Sequence, residues 1–167
     1  MKRRRVWSGS AVLAIALLLA LAGAPSGTAG SKHVFDATVT EDFVFRGCTF
    51  PVDPLLVDLC GTATTNLKQH GTALTTTVIT GFTRLPSGCF SDRHTTTFAF
   101  GDEDSSTLVA DVSGMLCPTG GPNFTFTGTY AVAGGTGEFD DASGHGSVIG
   151  GRQNGPVVSR FLGSLDD

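Results

Sequence analysis

The sequence predicts an all-β domain, an eight-stranded antiparallel up-and-down barrel that follows a signal peptide. Three observations predict it. Beyond the N-terminal apolar run the chain is rich in Thr, Val, Phe and Gly, and apolar and polar residues alternate with period two. No stretch there repeats its apolar residues at helical spacing. The alternating segments are eight in number and are mostly joined by short connections carrying Gly, Pro, Asn or Asp. Closing such a sheet removes the edges that a Thr-rich strand would otherwise leave unpaired.

The first strand covers 35–46: Phe35, Ala37, Val39, Phe43 and Phe45 share one face, and Asp36, Thr38, Thr40, Asp42 and Arg46 the other. Residues 30–33 read as a loose leader before it. Segments 62–70 and 74–84 form the next two strands around Gly71, the second with Leu74, Val78 and Phe82 alternating with Thr75, Thr77 and Thr83. Segments 94–100 and 106–112 flank the acidic turn Gly101-Asp102-Glu103-Asp104, so that Phe98 and Phe100 face Leu108 and Ala110. Segment 123–133 sets Phe124, Phe126, Tyr130 and Val132 on one face. Segments 144–150 and 157–165 make a last hairpin around Asn154-Gly155, a strong turn dipeptide, with Pro156 at a strand start where its missing N–H is tolerated. Asp166 and Asp167 read as a solvated tail. In an up-and-down barrel the connections 49–59, 85–91, 118–122 and 152–155 share one end, and the acidic turn and the turn after Ala133 share the other.

The N-terminus reads as a secretory signal, residues 1–29, leaving 30–167 as a single barrel domain. Lys2 to Arg5 are basic, 11–21 is an apolar run too short for a comfortable membrane span, and small residues follow up to Ala29. No cysteine follows that run, which argues against a lipid anchor, and no stable membrane anchor is expected. Cleavage after Ala29 removes 4 of the 11 basic residues and none of the 15 acidic ones. An acidic chain repels nucleic acid and anionic lipid, so neither is expected as a partner. Cys48, Cys60, Cys89 and Cys117 all lie in the exported part, and an even count there suggests two disulfides. The strand pattern favours Cys48–Cys60 and Cys89–Cys117, since Cys89 and Cys117 each lie 14 residues from Glu103 at the centre of the turn. Spacings of 12, 29 and 28 residues contain no close cysteine pair, which argues against zinc.

The segment Gly134-Gly135-Thr136-Gly137-Glu138-Phe139, with Ala142 and Gly144, resembles the GGTG-x-F-x-x-A-x-G stretch of allene oxide cyclase barrel-like and dirigent-like proteins. The likeness covers about 18 residues, 129–146, and otherwise extends only to strand count and order. It implies a calycin-like barrel with an apolar cavity, and relatives that close rings or steer radical coupling in small apolar molecules. It also allows an oligomer, since related barrels form dimers or trimers. No catalytic residue of those relatives can be matched to a position outside the turn. Read by itself the turn is structural: its glycines allow positive φ, Phe139 can plug a barrel end, and Ala142 and Gly144 let the chain pass closely.

Candidate chemistry is sparse. Glu41 shares the parity of the first strand's apolar face, so an unbroken strand turns its carboxylate inward, where burial raises the pKa and suits a general acid or base. A bulge at Glu41-Asp42 would instead leave it at the rim. Tyr130, the only tyrosine, can orient a ligand through its hydroxyl or sit in the core with that hydroxyl satisfied. Arg84 continues the Leu74–Val78–Phe82 parity, and either meets an inward carboxylate or extends to water. His33, His70, His94 and His145 show no metal spacing and default to the surface; no metal is expected. Asp102 to Asp104 lack the pattern of a calcium loop. No nucleophile elbow or dinucleotide fingerprint occurs, and no cofactor is expected. The leading expectation is therefore a small apolar molecule bound within the barrel by Phe43, Phe98, Phe126 and Tyr130. A cyclase or isomerase using Glu41 or Tyr130, and an interaction protein with a filled core, are the alternatives.

Overall fold

The computed structural model describes residues 32–44, 58–101 and 106–166. They form eight strands: β1 (Lys32–Phe43), β2 (Leu59–Thr65), β3 (Thr72–Arg84), β4 (Phe90–Ala99), β5 (Thr107–Gly120), β6 (Asn123–Thr136), β7 (Ser143–Arg152) and β8 (Val157–Asp166). Each pairs antiparallel with the next, and β8 returns to β1, so the sheet is a closed up-and-down barrel. The only helical element described is a single 3-10 turn, Gly137–Phe139. The signal segment 1–29, Cys48 with its proposed bridge to Cys60, Phe45, and the acidic turn at Asp102 to Asp104 lie outside the described residues.

Pairing through 90 and 116 extends the turn-centred register, and Cys89 and Cys117 are joined by a disulfide. That bond is compatible with an oxidising, extracellular setting. It sits at the end where β4 starts and β5 finishes, hereafter the disulfide end. On the outer wall of the β1–β8 seam, Arg160 donates from Nε and Nη2 to the two carboxylate oxygens of Asp36 at 2.9 and 2.7 Å, which holds the Asp36 carboxyl below its usual range.

Several boundaries differ from the sequence expectation. β1 begins in the supposed leader, because Lys32 and His33 pair with Asp166 and Leu165; the same pairing takes Asp166 out of the supposed tail. The second strand stops at Thr65 and not at 70, because Asn66 leaves the sheet to bond the β1 backbone at Val34 and Asp36. β4 starts four residues early and β5 runs on past Val112 to Gly120, since the bulges at Val109/Ala110 and Pro118/Gly120 let pairing with β6 continue. The face of β3 is the opposite of the one its hydrophobicity suggests. Ala73, Thr75 and Thr77 point inward and Leu74 is exposed, until the bulge at Ile79/Gly81 brings Phe82, half exposed at the rim, to the side of Asp92. The reason is space. Phe35, Phe98, Tyr130 and Phe161 fill the middle of the barrel, with ring centroids 5.4 to 6.1 Å apart, so Ala63, Ala73 and Thr75 on β2 and β3 must be small.

The opposite end is plugged. After β6 the chain turns at Gly137, whose φ of 65° favours glycine, and drops Phe139 into the barrel at 1 % exposure. A Cβ on Gly135 would lie 2.0 Å from the Thr107 carbonyl oxygen, so only glycine allows β5 and β6 this approach. Phe139 packs 5.2 Å from Phe100 and 5.5 Å from His70, and His70 Nε2 bonds Glu138 Oε1 across the plug. His70 is thus buried and not on the surface: the loop after β2 folds it over the barrel end. Ala142 is buried beside the turn, and Gly144 begins the return along β8.

Candidate functional site

The barrel interior is packed with aromatic rings through its middle and is polar toward the disulfide end. β1 runs unbroken through Glu41, paired with Gly61 on β2 and Val157 on β8, so Glu41 faces inward and is 6 % exposed. The next residue in that row is Thr75 on β3, and Gly61 between them has no side chain, so Glu41 can reach across β2. Thr77 Oγ1 donates to the Glu41 carboxylate, 3.0 Å from Oε1 and 3.1 Å from Oε2, and lies 2.8 Å from Thr96 Oγ1 on β4. Burial raises the Glu41 pKa, opposed to a lesser extent by the Thr75 and Thr77 hydroxyls and by His94. The Thr75 hydroxyl is near enough to contribute there but makes no hydrogen bond of good geometry.

Asp92 and His94 stand two apart on β4, sharing the inward parity of Thr96 and Phe98. His94 Nδ1 lies 2.9 Å from Asp92 Oδ2, and the ring packs 5.5 Å from Phe126. With the proton on Nδ1 this bond fixes the tautomer and leaves Nε2 as the basic nitrogen. Asp92 is 5 % exposed, and its other oxygen, Oδ1, has no partner.

Tyr130 belongs to a different group. Its ring lies across Gly146 and Gly163, where an added Cβ would come within 2.6 Å of Cε1 and 2.7 Å of the hydroxyl. It packs on Phe35 and Phe161, its hydroxyl is buried without a partner, and burial pushes its pKa up to about 12. Such a hydroxyl is a hydrogen-bond donor and not a base near neutral pH. The structure therefore does not join Glu41 and Tyr130 by a hydrogen bond. Phe98 lies in the central ring cluster, Phe126 covers Gly114 and Gly128, and Phe43 sits at the disulfide end with the Arg152 guanidinium 5.5 Å over its ring. Arg84, at the end of β3, is exposed, and among the described residues it meets no inward carboxylate. His33 and His145 are exposed.

Sequence reasoning passed over Thr75, Thr77, Asp92 and Thr96, and it assigned to the surface His94, whose side chain is 14 % exposed and faces inward. The signal for Asp92, His94 and Thr96 was the parity they share with Phe98. Among the described residues no cluster of three or more His, Cys, Asp or Glu side chains is arranged for a metal, and no helix is long and apolar enough to cross a membrane.

The raised Glu41 pKa gives a stability prediction. The folded chain keeps this proton to higher pH than the unfolded chain does. Stability therefore falls as pH rises from the ordinary carboxylate range through the raised value, and levels off above it. Glu41→Gln keeps an oxygen to accept from Thr77 and cannot ionise. The variant is expected to be more stable than the native chain at pH 8 and to lose that advantage near pH 3. Urea titrations at the two pH values check this; a difference that does not change with pH contradicts it.

Comparison of the chain with protein families, curated proteins and solved structures gives no match.

Proposed function

We propose that this protein binds a small, mainly apolar molecule within the barrel, at the disulfide end. The observation that carries this reading is a set of inward polar atoms left unpaired in an otherwise close-packed interior: Thr75 Oγ1, Asp92 Oδ1 and the Tyr130 hydroxyl. Each costs about 1–3 kcal/mol while it has no partner, so a fold meant only to be stable would replace or satisfy them. A ligand reaching in beside Glu41, Asp92 and His94 supplies partners for Thr75 and Asp92, and Phe43, Phe126 and Leu116 offer apolar contact. The GGTG-x-F turn and the barrel support kinship with the allene oxide cyclase barrel-like and dirigent-like proteins, and the N-terminal signal pattern supports the reading that the chain is secreted.

The Asp92–His94 bond favours one further reading, a cyclase or isomerase. His94 Nε2 would take a proton, and Glu41, held neutral by burial, would return one.

The test is protein recovered from its own culture medium, studied by native mass spectrometry and by titration with the neutral fluorophore N-phenyl-1-naphthylamine. Saturable uptake at one site per barrel, or a retained small-molecule mass, is the expected result. A clean apo mass with no uptake of the fluorophore overturns the reading in favour of a filled core.

A further inference from the structure

The chemistry of the unpaired atoms narrows the ligand, and this step rests on the binding reading above. We propose that the site takes a molecule with an apolar body and a protonated primary amine head, the head lying between Asp92 and Glu41.

The ionisable groups turned toward this region come from three strands. β1 brings Glu41, and β4 brings Asp92 and His94; β3 adds the hydroxyls of Thr75 and Thr77 and, at its exposed end past the bulge, Arg84 opposite Phe90. Two carboxyl groups thus face a single imidazole. Arg93 alternates to the outer side of β4 and is exposed. The Arg152 guanidinium is committed over Phe43, with Nε 2.9 Å from the Gly155 carbonyl oxygen. The acceptors also outnumber the donors that reach them. Asp92 Oδ2 has His94, Glu41 has Thr77, and Asp92 Oδ1 has nothing. An independent sign is Thr75, on another strand. Its hydroxyl oxygen is fully buried, has no well-formed hydrogen bond, and belongs to the Glu41 row.

A primary ammonium matches this inventory. It carries three donors and a positive charge, and its bond to a buried carboxylate is charge-assisted, about twice as strong as a neutral one. A neutral amide or alcohol can donate to Asp92 Oδ1 but leaves the carboxylate charge uncompensated. A carboxylate head would face two carboxyl groups, while Arg84, the cation on this face, stands outside them at the exposed end of β3. A quaternary ammonium has no N–H to give to Asp92. For the body of the ligand, Phe82 pairs in register with Asp92, is half exposed, and stacks on Phe90 with centroids 4.5 Å apart and planes 11° from parallel. Beside His94, the Phe126 ring presents a further aromatic surface.

The test uses three fluorophores with one body and different heads: dansylcadaverine, its N-acetyl derivative, and dansyl-6-aminohexanoic acid. Each is titrated into the protein as its own cells process it. The amine is expected to bind at least tenfold more tightly than either of the others, and Asp92→Asn is expected to weaken it at least tenfold while leaving the N-acetyl probe unchanged. Far-UV circular dichroism verifies that the variant is still a barrel; if it is not, the ranking on the native chain decides alone. Equal binding of the three, or preference for the carboxylate, overturns the amine assignment and leaves the binding reading standing. Unweakened amine binding by a folded Asp92→Asn barrel overturns it as well. Failure of all three probes, together with N-phenyl-1-naphthylamine, overturns both.

Discussion

Replacing Phe139 with alanine is expected to lower the stability of the barrel by about 3–5 kcal/mol, the cost of removing a fully buried aromatic ring. Phe139 is 1 % exposed and is the one large apolar side chain that the turn after β6 contributes. Its loss uncovers Phe100 and His70 on one side. The surrounding structure has little freedom to collapse into the gap. Gly135 cannot move closer to β5, because its Cα already stands against the Thr107 carbonyl, and the Glu138–His70 bond pins the turn from outside. Phe139→Leu, which keeps most of the volume, is expected to cost well under half as much. Urea or thermal denaturation of the two variants measures the difference. An alanine variant within about 1 kcal/mol of native would mean that the ring is not a plug. In that case the turn motif would need another explanation than closing the barrel.

The contrast between the two ends of the barrel also explains which features were readable in the sequence. Period-two alternation located all eight strands, because burial on one face imposes it on every strand. The disulfide-linked register of β4 and β5 followed from counting out from one turn. The face of β3 did not, because the rule that apolar residues point inward assumes room for them. Once Phe35, Phe98, Tyr130 and Phe161 occupy the centre, threonine on the neighbouring strand fits and leucine does not, so Leu74 goes outside. That choice depends on volumes contributed by β1, β4, β6 and β8, which no local window contains. The same inversion hid most of the candidate site. Glu41 was legible from its parity, but its partner Thr77 lies 36 residues away, on a strand whose polar side reads as the outer one. Asp92 fell two residues before the expected start of β4, and His94, the first residue of that expected strand, read by default as a surface histidine. His70 looked like the end of a strand, and is buried only because Asn66 ties the loop back to β1.

Removing the Cys89–Cys117 bond by a double substitution to serine is expected to cost about 3–4 kcal/mol. The two residues are 28 apart in sequence, and opening that loop restores chain entropy to the unfolded state, by the loop-length relation for cross-links. For a domain of this size the loss corresponds to roughly 10 °C in Tm. The double variant is the right comparison, because a single substitution leaves a thiol able to exchange, and a reductant would also act on Cys60. Both positions are only partly buried, so serine hydroxyls there can reach water and add little cost of their own. The position of the bond adds a local expectation to the global one. It clamps β4 to β5 where Phe90 pairs with Leu116, just beyond the Asp92 and Gly114 pair. The amide protons of β4 from Phe90 to His94 are therefore expected to lose more exchange protection than those from Thr96 to Ala99, which the central ring cluster holds. If protection falls evenly along β4 while Tm drops by the predicted amount, the bond acts on the unfolded chain alone. If the loss is confined to the disulfide end, the bond also holds Asp92 and His94 in place, and binding of dansylcadaverine should weaken with it.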